Sequence, residues 1–123
     1  MVSVLQSQHD MVRLTVNLHA PAPHALGIMD ALRMLMRATR LEPGCVDCQA
    51  WTTEDEDDPG RMEVHYEERW STEPSIERRV RSEAFTKVLE LLEGAVEPPH
   101  VEFDFVSRHQ GLEYVEAVRR DTR

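Results

Sequence analysis

The chain has 123 residues, 23 of them acidic and 14 basic, for a formal net charge of −9, a length that suits one domain and leaves no linker able to separate a pair of cores. That charge repels nucleic acid and anionic membrane surfaces at long range, so neither is an expected partner. The sequence has no apolar run long enough to cross a bilayer and no basic, apolar secretory start, so a cytoplasmic location is expected.

Residues 1–10 show no sustained period and read as a flexible leader before Met11. Val12, Leu14, Val16 and Leu18 then alternate with Arg13, Thr15, Asn17 and His19, the period of a half-buried first strand. Pro21 and Pro23 end it, and Ala25, Ile28, Met29, Leu32, Leu35 and Met36 recur at the spacing of a helix that runs to about Arg40. Arg37 and Arg40 suit the negative end of that helix, and Pro43-Gly44 stops it.

Cys45 to Thr53 reads as a second strand, closed by an acidic turn, Glu54 to Asp58, and then Pro59-Gly60, which together imply a hairpin. Cys45 and Cys48, three apart on a strand, are expected on opposite faces with Cα atoms roughly 10 Å apart, beyond disulfide reach. They read as two small thiols in a reducing compartment. Met62, Val64, Tyr66, Glu68 and Trp70 alternate with Arg61, Glu63, His65, Glu67 and Arg69 in the clearest strand of the chain. Ser71 or Thr72 caps a second helix, with Pro74 in its first turn and a row of Ile76, Val80, Ala84, Val88 and Leu92, flanked by Phe85 and Leu89, before Gly94. Val101, Phe103 and Phe105 alternate with Glu102 and Asp104 as a fourth strand. The extension over 108–123 holds Leu112, Tyr114, Val115 and Val118, too apolar for a free tail, and is expected to pack on the domain or on a partner subunit.

Two consecutive β-α-β units predict an α+β, ferredoxin-like βαββαβ arrangement, an antiparallel sheet with both helices on one face. The other face then shows Arg13, Thr15, Asn17, Asp47, Gln49, Trp51, Glu63 and His65, a polar mixture with one large aromatic that suits a homodimer interface.

Glu68 is the one carboxylate on the inner face of strand three, between Tyr66 and Trp70. Apolar surroundings favour its protonated form and make it a candidate proton acceptor for a bound ligand. The competing reading is a structural carboxylate tied to backbone or to Arg13 or Arg79. Tyr66 and Trp70 are suited either to stacking on a flat ligand or to core packing. His19 and His65 project to the opposite face, while His9, His24, His100 and His109 have no ligand spacing, so no metal is expected. Arg78, Arg79 and Arg81 read mainly as solvated partners of Glu77 and Glu83.

Leu41-Glu42-Pro43-Gly44-Cys45 before strand two, Glu68-Arg69-Trp70 closing strand three, and Ser82, Phe85 and Leu89 along helix two occur here in that order. In these features the chain resembles the antibiotic biosynthesis (quinol) monooxygenase family over Met11 to about Phe105, which implies one domain over 11–107 and a dimeric α+β barrel. The resemblance further implies a pocket in each subunit between sheet and helices, and oxidation of a small aromatic or quinol-like molecule by dioxygen without cofactor. On that reading Glu68 and Arg79 are the catalytic candidates, with Tyr66, Trp70, Ile76 and Phe85 as substrate-binding candidates. Many members carry a histidine nine residues after the strand-three tryptophan. Here that position is Arg79, a permanent cation in place of a group that titrates near neutrality. Haem-degrading relatives share an asparagine near the end of strand one, as at Asn17, but use a histidine on helix two, where this chain has none, so haem is not expected. The alternatives are a non-catalytic homodimer that binds a small molecule and a purely structural dimerisation module.

Overall fold

Strand alternation and helical periodicity are both realised in the structure, a computed structural model that describes residues 11–94, 97–106 and 111–120. The proposed leader lies outside the described residues, as do the first and last three residues of the proposed extension. The elements run β1 (Met11–Pro21), α1 (Ala22–Arg40), β2 (Cys45–Glu54), β3 (Arg61–Trp70), α2 (Glu73–Arg81), α3 (Glu83–Glu93), β4 (His100–Val106) and α4 (Leu112–Arg120). The four strands form one antiparallel sheet in the order β2-β3-β1-β4, the ferredoxin-like α+β arrangement. No described helix is long and apolar enough to cross a membrane.

The core lies between the sheet and the layer of α1, α2 and α3. Val12, Leu14, Val16, Leu18 and Ala20 of β1 and Val64, Tyr66, Glu68 and Trp70 of β3 point into it, and all nine are buried. From the helices come Ala25, Ile28, Met29, Leu32 and Met36, then Phe85, Val88 and Leu92. Alternation thus puts the Glu68 carboxylate inside a hydrocarbon layer, where it must find partners.

Two local features depart from the sequence reading. A bulge in β2 between Cys45 and Asp47 adds a residue, so Cys45 pairs with Trp70 and Cys48 with Glu68. Since Trp70 and Glu68 both face inward, both thiols end on the helix side, where strict alternation had put them on opposite faces. Both remain free, Cys48 fully buried. The second helix is also broken. Ser82 adopts an extended conformation, accepts a hydrogen bond from the Phe85 amide and caps α3 afresh, while its hydroxyl donates 2.7 Å to the Arg79 carbonyl. The break resets the helical phase: Arg79 is buried in place of Val80, and Phe85 in place of Ala84.

β4 is an edge strand paired with β1, with Phe105 opposite Val12 and Phe103 opposite Leu14. Val101, Phe103 and Phe105 therefore share the helix-side face, yet each stays exposed because α2 and α3 stop short of it. The outward face carries the stacked rings of Trp51 and His65, 5.2 Å apart. His65 is held there by Asn17 (2.7 Å) and Thr53 (2.9 Å), and His19 sits 3.1 Å from Asp55 on the same side.

Between α1 and β2 the chain turns at Gly44, whose φ of 90° and whose closeness to the start of α2 both require the missing side chain. A Cβ there would lie 2.7 Å from the Ser75 Cβ, and the Gly44 carbonyl accepts from the Ser71 amide at 2.8 Å. Gly44→Ala is expected to destabilise the fold by about 1–3 kcal/mol through backbone strain, with the overlap on Ser75 adding to it. Urea denaturation checks this; an unchanged midpoint would mean the turn tolerates a side chain.

Candidate functional site

A cluster of polar side chains lies fully enclosed beneath the helices. β3 delivers Tyr66, Glu68 and Trp70 to one face at every second residue. α2 delivers Arg79, which is 1% exposed, to the Glu68 carboxylate, which is 0% exposed. Arg79 Nη2 donates to Glu68 Oε2 at 2.8 Å and Nε to Oε1 at 3.2 Å, a forked pair that fits the planar guanidinium to the planar carboxylate. Trp70 Nε1 donates to Glu68 Oε1 at 2.9 Å, and the Tyr66 hydroxyl donates to Oε2. The Cys48 thiol donates in turn to the Tyr66 hydroxyl at 3.5 Å.

Arg79 makes two further hydrogen bonds. Nη1 reaches Glu42 Oε2 at 2.8 Å, and Nη2 reaches Thr39 Oγ1 at 3.1 Å. Its guanidinium carbon lies 5.9 Å from the centre of the Trp70 ring and 5.3 Å from that of Phe85, so two aromatic faces flank the charge. Among the described residues, every buried side-chain nitrogen and oxygen has a hydrogen-bond partner. Glu42, with 27% of its side chain exposed, is the member through which the network meets solvent.

Electrostatics reinforce the arrangement. Burial pushes the Arg79 pKa down, but hydrogen bonds and charge from Glu68 more than reverse this, and the net shift is upward. Burial raises the Tyr66 hydroxyl well above its ordinary value, helped by the Glu68 charge. Burial likewise pushes the Cys48 thiol up to about 12. The network is therefore a fixed cation with neutral hydroxyl and thiol donors around a carboxylate.

Of the six residues singled out in the sequence, Glu68, Arg79, Tyr66, Trp70 and Phe85 meet in this one cluster. Ile76 stands beside it, packed on Trp70 and Val12, and its other side lines an open groove of about 270 Å³ with Glu73, Glu77, Val80, Phe103 and Phe105. Thr39 and Glu42 were not singled out. Thr39 continues the inward row of α1 at helical spacing, a polar residue where an apolar one belongs, and that was the available signal. Glu42 lies in the turn after the helix and had no such signal, because its partner is 37 residues away.

Removing one member of a buried pair strands the other, so Arg79→Ala is expected to cost about 3–5 kcal/mol, whereas Glu68→Leu with Arg79→Met should cost much less than the two single changes together. A double-mutant cycle in urea reads this directly; additive losses would refute the coupling. Stability should also fall in alkali. Cys48 and Tyr66 have folded pKa values above their ordinary 9.0 and 10.0, so the unfolded chain loses these protons first. Their contribution is full below about pH 9 and declines as the pH rises from there. Tyr66→Phe should flatten the fall in urea midpoint above pH 10, and an unchanged slope would contradict the assignment.

The family model for antibiotic biosynthesis monooxygenase matches residues 11–91, from β1 through most of α3. No curated protein matches the chain. Among solved structures, a conserved protein from Methanosarcina mazei Go1 has a TM-score of 0.59 at 20% identity, over 86% of this chain and 99% of that one. A candidate antibiotic biosynthesis monooxygenase from Deinococcus radiodurans has a TM-score of 0.59 at 21% identity, over 81% and 94%. Another from Nitrosomonas europaea has 0.60 at 17% identity, over 82% and 94%. Identities this low speak for the fold, and the family model covers the segments that build the buried network, so the chain belongs to the antibiotic biosynthesis monooxygenase family.

Proposed function

We propose that the protein is a homodimeric, cofactor-independent monooxygenase that oxidises a small aromatic or quinol-like molecule with dioxygen. The observation that supports this reading is the buried cluster of Tyr66, Glu68, Trp70 and Arg79 under the helical layer of a family member. A phenol that has lost its proton is electron-rich enough to react with dioxygen, so the protein must bind the ring, hold the anion and exclude water. The balance is simple: one oxygen atom enters the ring, the other leaves as water, and the phenol becomes a quinone. Glu68 takes the phenol proton by exchanging a donor, Tyr66 or Trp70, for the substrate hydroxyl. Arg79 supplies the fixed positive charge beside the phenolate. Entry from the Glu42 side fits the one place where the network reaches solvent.

The homodimer is supported by the outward sheet face, where stacked Trp51 and His65 and hydrogen-bonded Asn17 sit among charged groups of both signs. Such a surface suits a hydrogen-bonded contact with a second copy. A second reading, a non-catalytic dimer that binds a small molecule or only provides structure, is favoured by one specific observation: all the donors around Glu68 are already satisfied within the chain.

Oxygen uptake by metal-free protein with a panel of substituted hydroquinones separates the two. Uptake, with kcat lowered about 100-fold or more in Glu68→Gln as expected for a lost general base, supports the enzyme when the variant's folded fraction is measured alongside. No uptake across the panel by the unaltered protein leaves the non-catalytic reading.

A further inference from the structure

Two apolar surfaces of this chain are left bare. One is the groove between α2 and β4, where Ile76 and Val80 face Phe103 and Phe105 between the carboxylates of Glu73 and Glu77. Val80, Phe103 and Phe105 are 45%, 39% and 57% exposed. The other is α4, none of whose residues is buried. At 100° per residue Tyr114, Val118, Val115 and Leu112 follow one another around about 160° of that helix, with Arg119 between Val115 and Leu112 and Arg120 on the opposite side. A helix of nine residues is marginal in water on its own, so α4 needs a surface to cover.

We propose that α4 of a second copy docks into the α2/β4 groove, and that two subunits exchange these helices reciprocally. Charge sets the direction. Arg119 at the end of α4 complements Glu73 and Glu77 at the start of α2, which makes the two helices antiparallel and also opposes their dipoles favourably. With about 1.5 Å rise per residue, that register sets Val80 opposite Tyr114 and Val115, apolar against apolar.

The single chain favours a second copy over its own groove, because α4 buries none of its residues while the groove stays open. β4 ends at Val106 beside Met11, at the end of the groove where α2 begins. In the antiparallel pose, α4 must start at the other end, about 13 Å away for a helix of this length. The six steps from Val106 to Leu112 span at most about 20 Å, so docking within one chain would require the link to run back alongside the docked helix. A nine-residue helix also falls short of the roughly 800 Å² per partner of a stable contact, so reciprocal exchange, which forms the same contact twice, is the form that suits a lasting pair.

This exchange does not depend on the proposed oxidation, and its test reads mass rather than oxygen. Val80→Cys with Val115→Cys in one chain should give a covalent dimer on mild oxidation, absent from either single variant; the native Cys45 and Cys48 are present in all of them. A cross-link within the monomer would replace exchange with docking inside one chain, and no cross-link would overturn the docking itself. In the Val80→Cys, Val115→Cys background, Glu77→Arg should lower the yield of cross-linked dimer at least tenfold, and adding Arg119→Glu should restore most of it. Failure of the second change to rescue would also overturn the proposal, while circular dichroism confirms that each variant is folded.

Discussion

The contact between Glu68 and Arg79 constrains the rest of this molecule. A carboxylate fully enclosed by protein is tolerable only with a partner of opposite charge and enough donors to replace water. Arg79 supplies both, through two hydrogen bonds to one carboxylate, and Tyr66 and Trp70 complete the shell. The same guanidinium ties three distant pieces of chain together: β3 through Glu68, the last turn of α1 through Thr39, and the α1–β2 turn through Glu42. Several neighbouring features serve this geometry. Gly44 lets the turn pass close to α2, and the Ser82 break ends α2 just after Arg79, allowing α3 to present Phe85 to the guanidinium from a new phase.

That arrangement bears on chemistry as well as stability. Where many family members have a histidine, a group whose charge changes near neutrality, this chain has a cation whose pKa is raised further by its partner. The arginine holds a charge rather than relaying a proton. Any proton transfer in the cluster therefore falls to Glu68, whose oxygens are shared among three side chains. Preorganised charge of this kind is well suited to stabilising an anion that forms during a reaction, and equally to locking a core. The difference between these roles lies in whether a ring can replace one of the present donors.

The two sides of the sheet divide the remaining tasks. The outward face is polar and ordered by side-chain hydrogen bonds around His65, whereas the inward face is covered only as far as α1, α2 and α3 extend. β4 lies beyond that cover, so Phe103 and Phe105 are inward-facing by register and exposed by circumstance. The edge strand keeps its aromatics bare, and the amphipathic α4 has no buried residue.

The sequence alone determined the strands, the first helix and the inward set of β3, because periods of 2 and 3.6 are local properties that a core facing one side imposes on the residues themselves. It therefore brought Tyr66, Glu68 and Trp70 together before any coordinate was known, and the motif order pointed to the family. Tertiary structure decided what local pattern cannot carry. The bulge that turned Cys45 inward depends on pairing with β3, and the break at Ser82 depends on capping competing successfully with a continuous helix. The identity of Glu68's partner, left between backbone, Arg13 and Arg79 by the sequence, was settled by the phase of α2 after folding. The places of Thr39 and Glu42 were settled in the same way, since contacts across 37 to 40 residues leave no periodic trace in the chain.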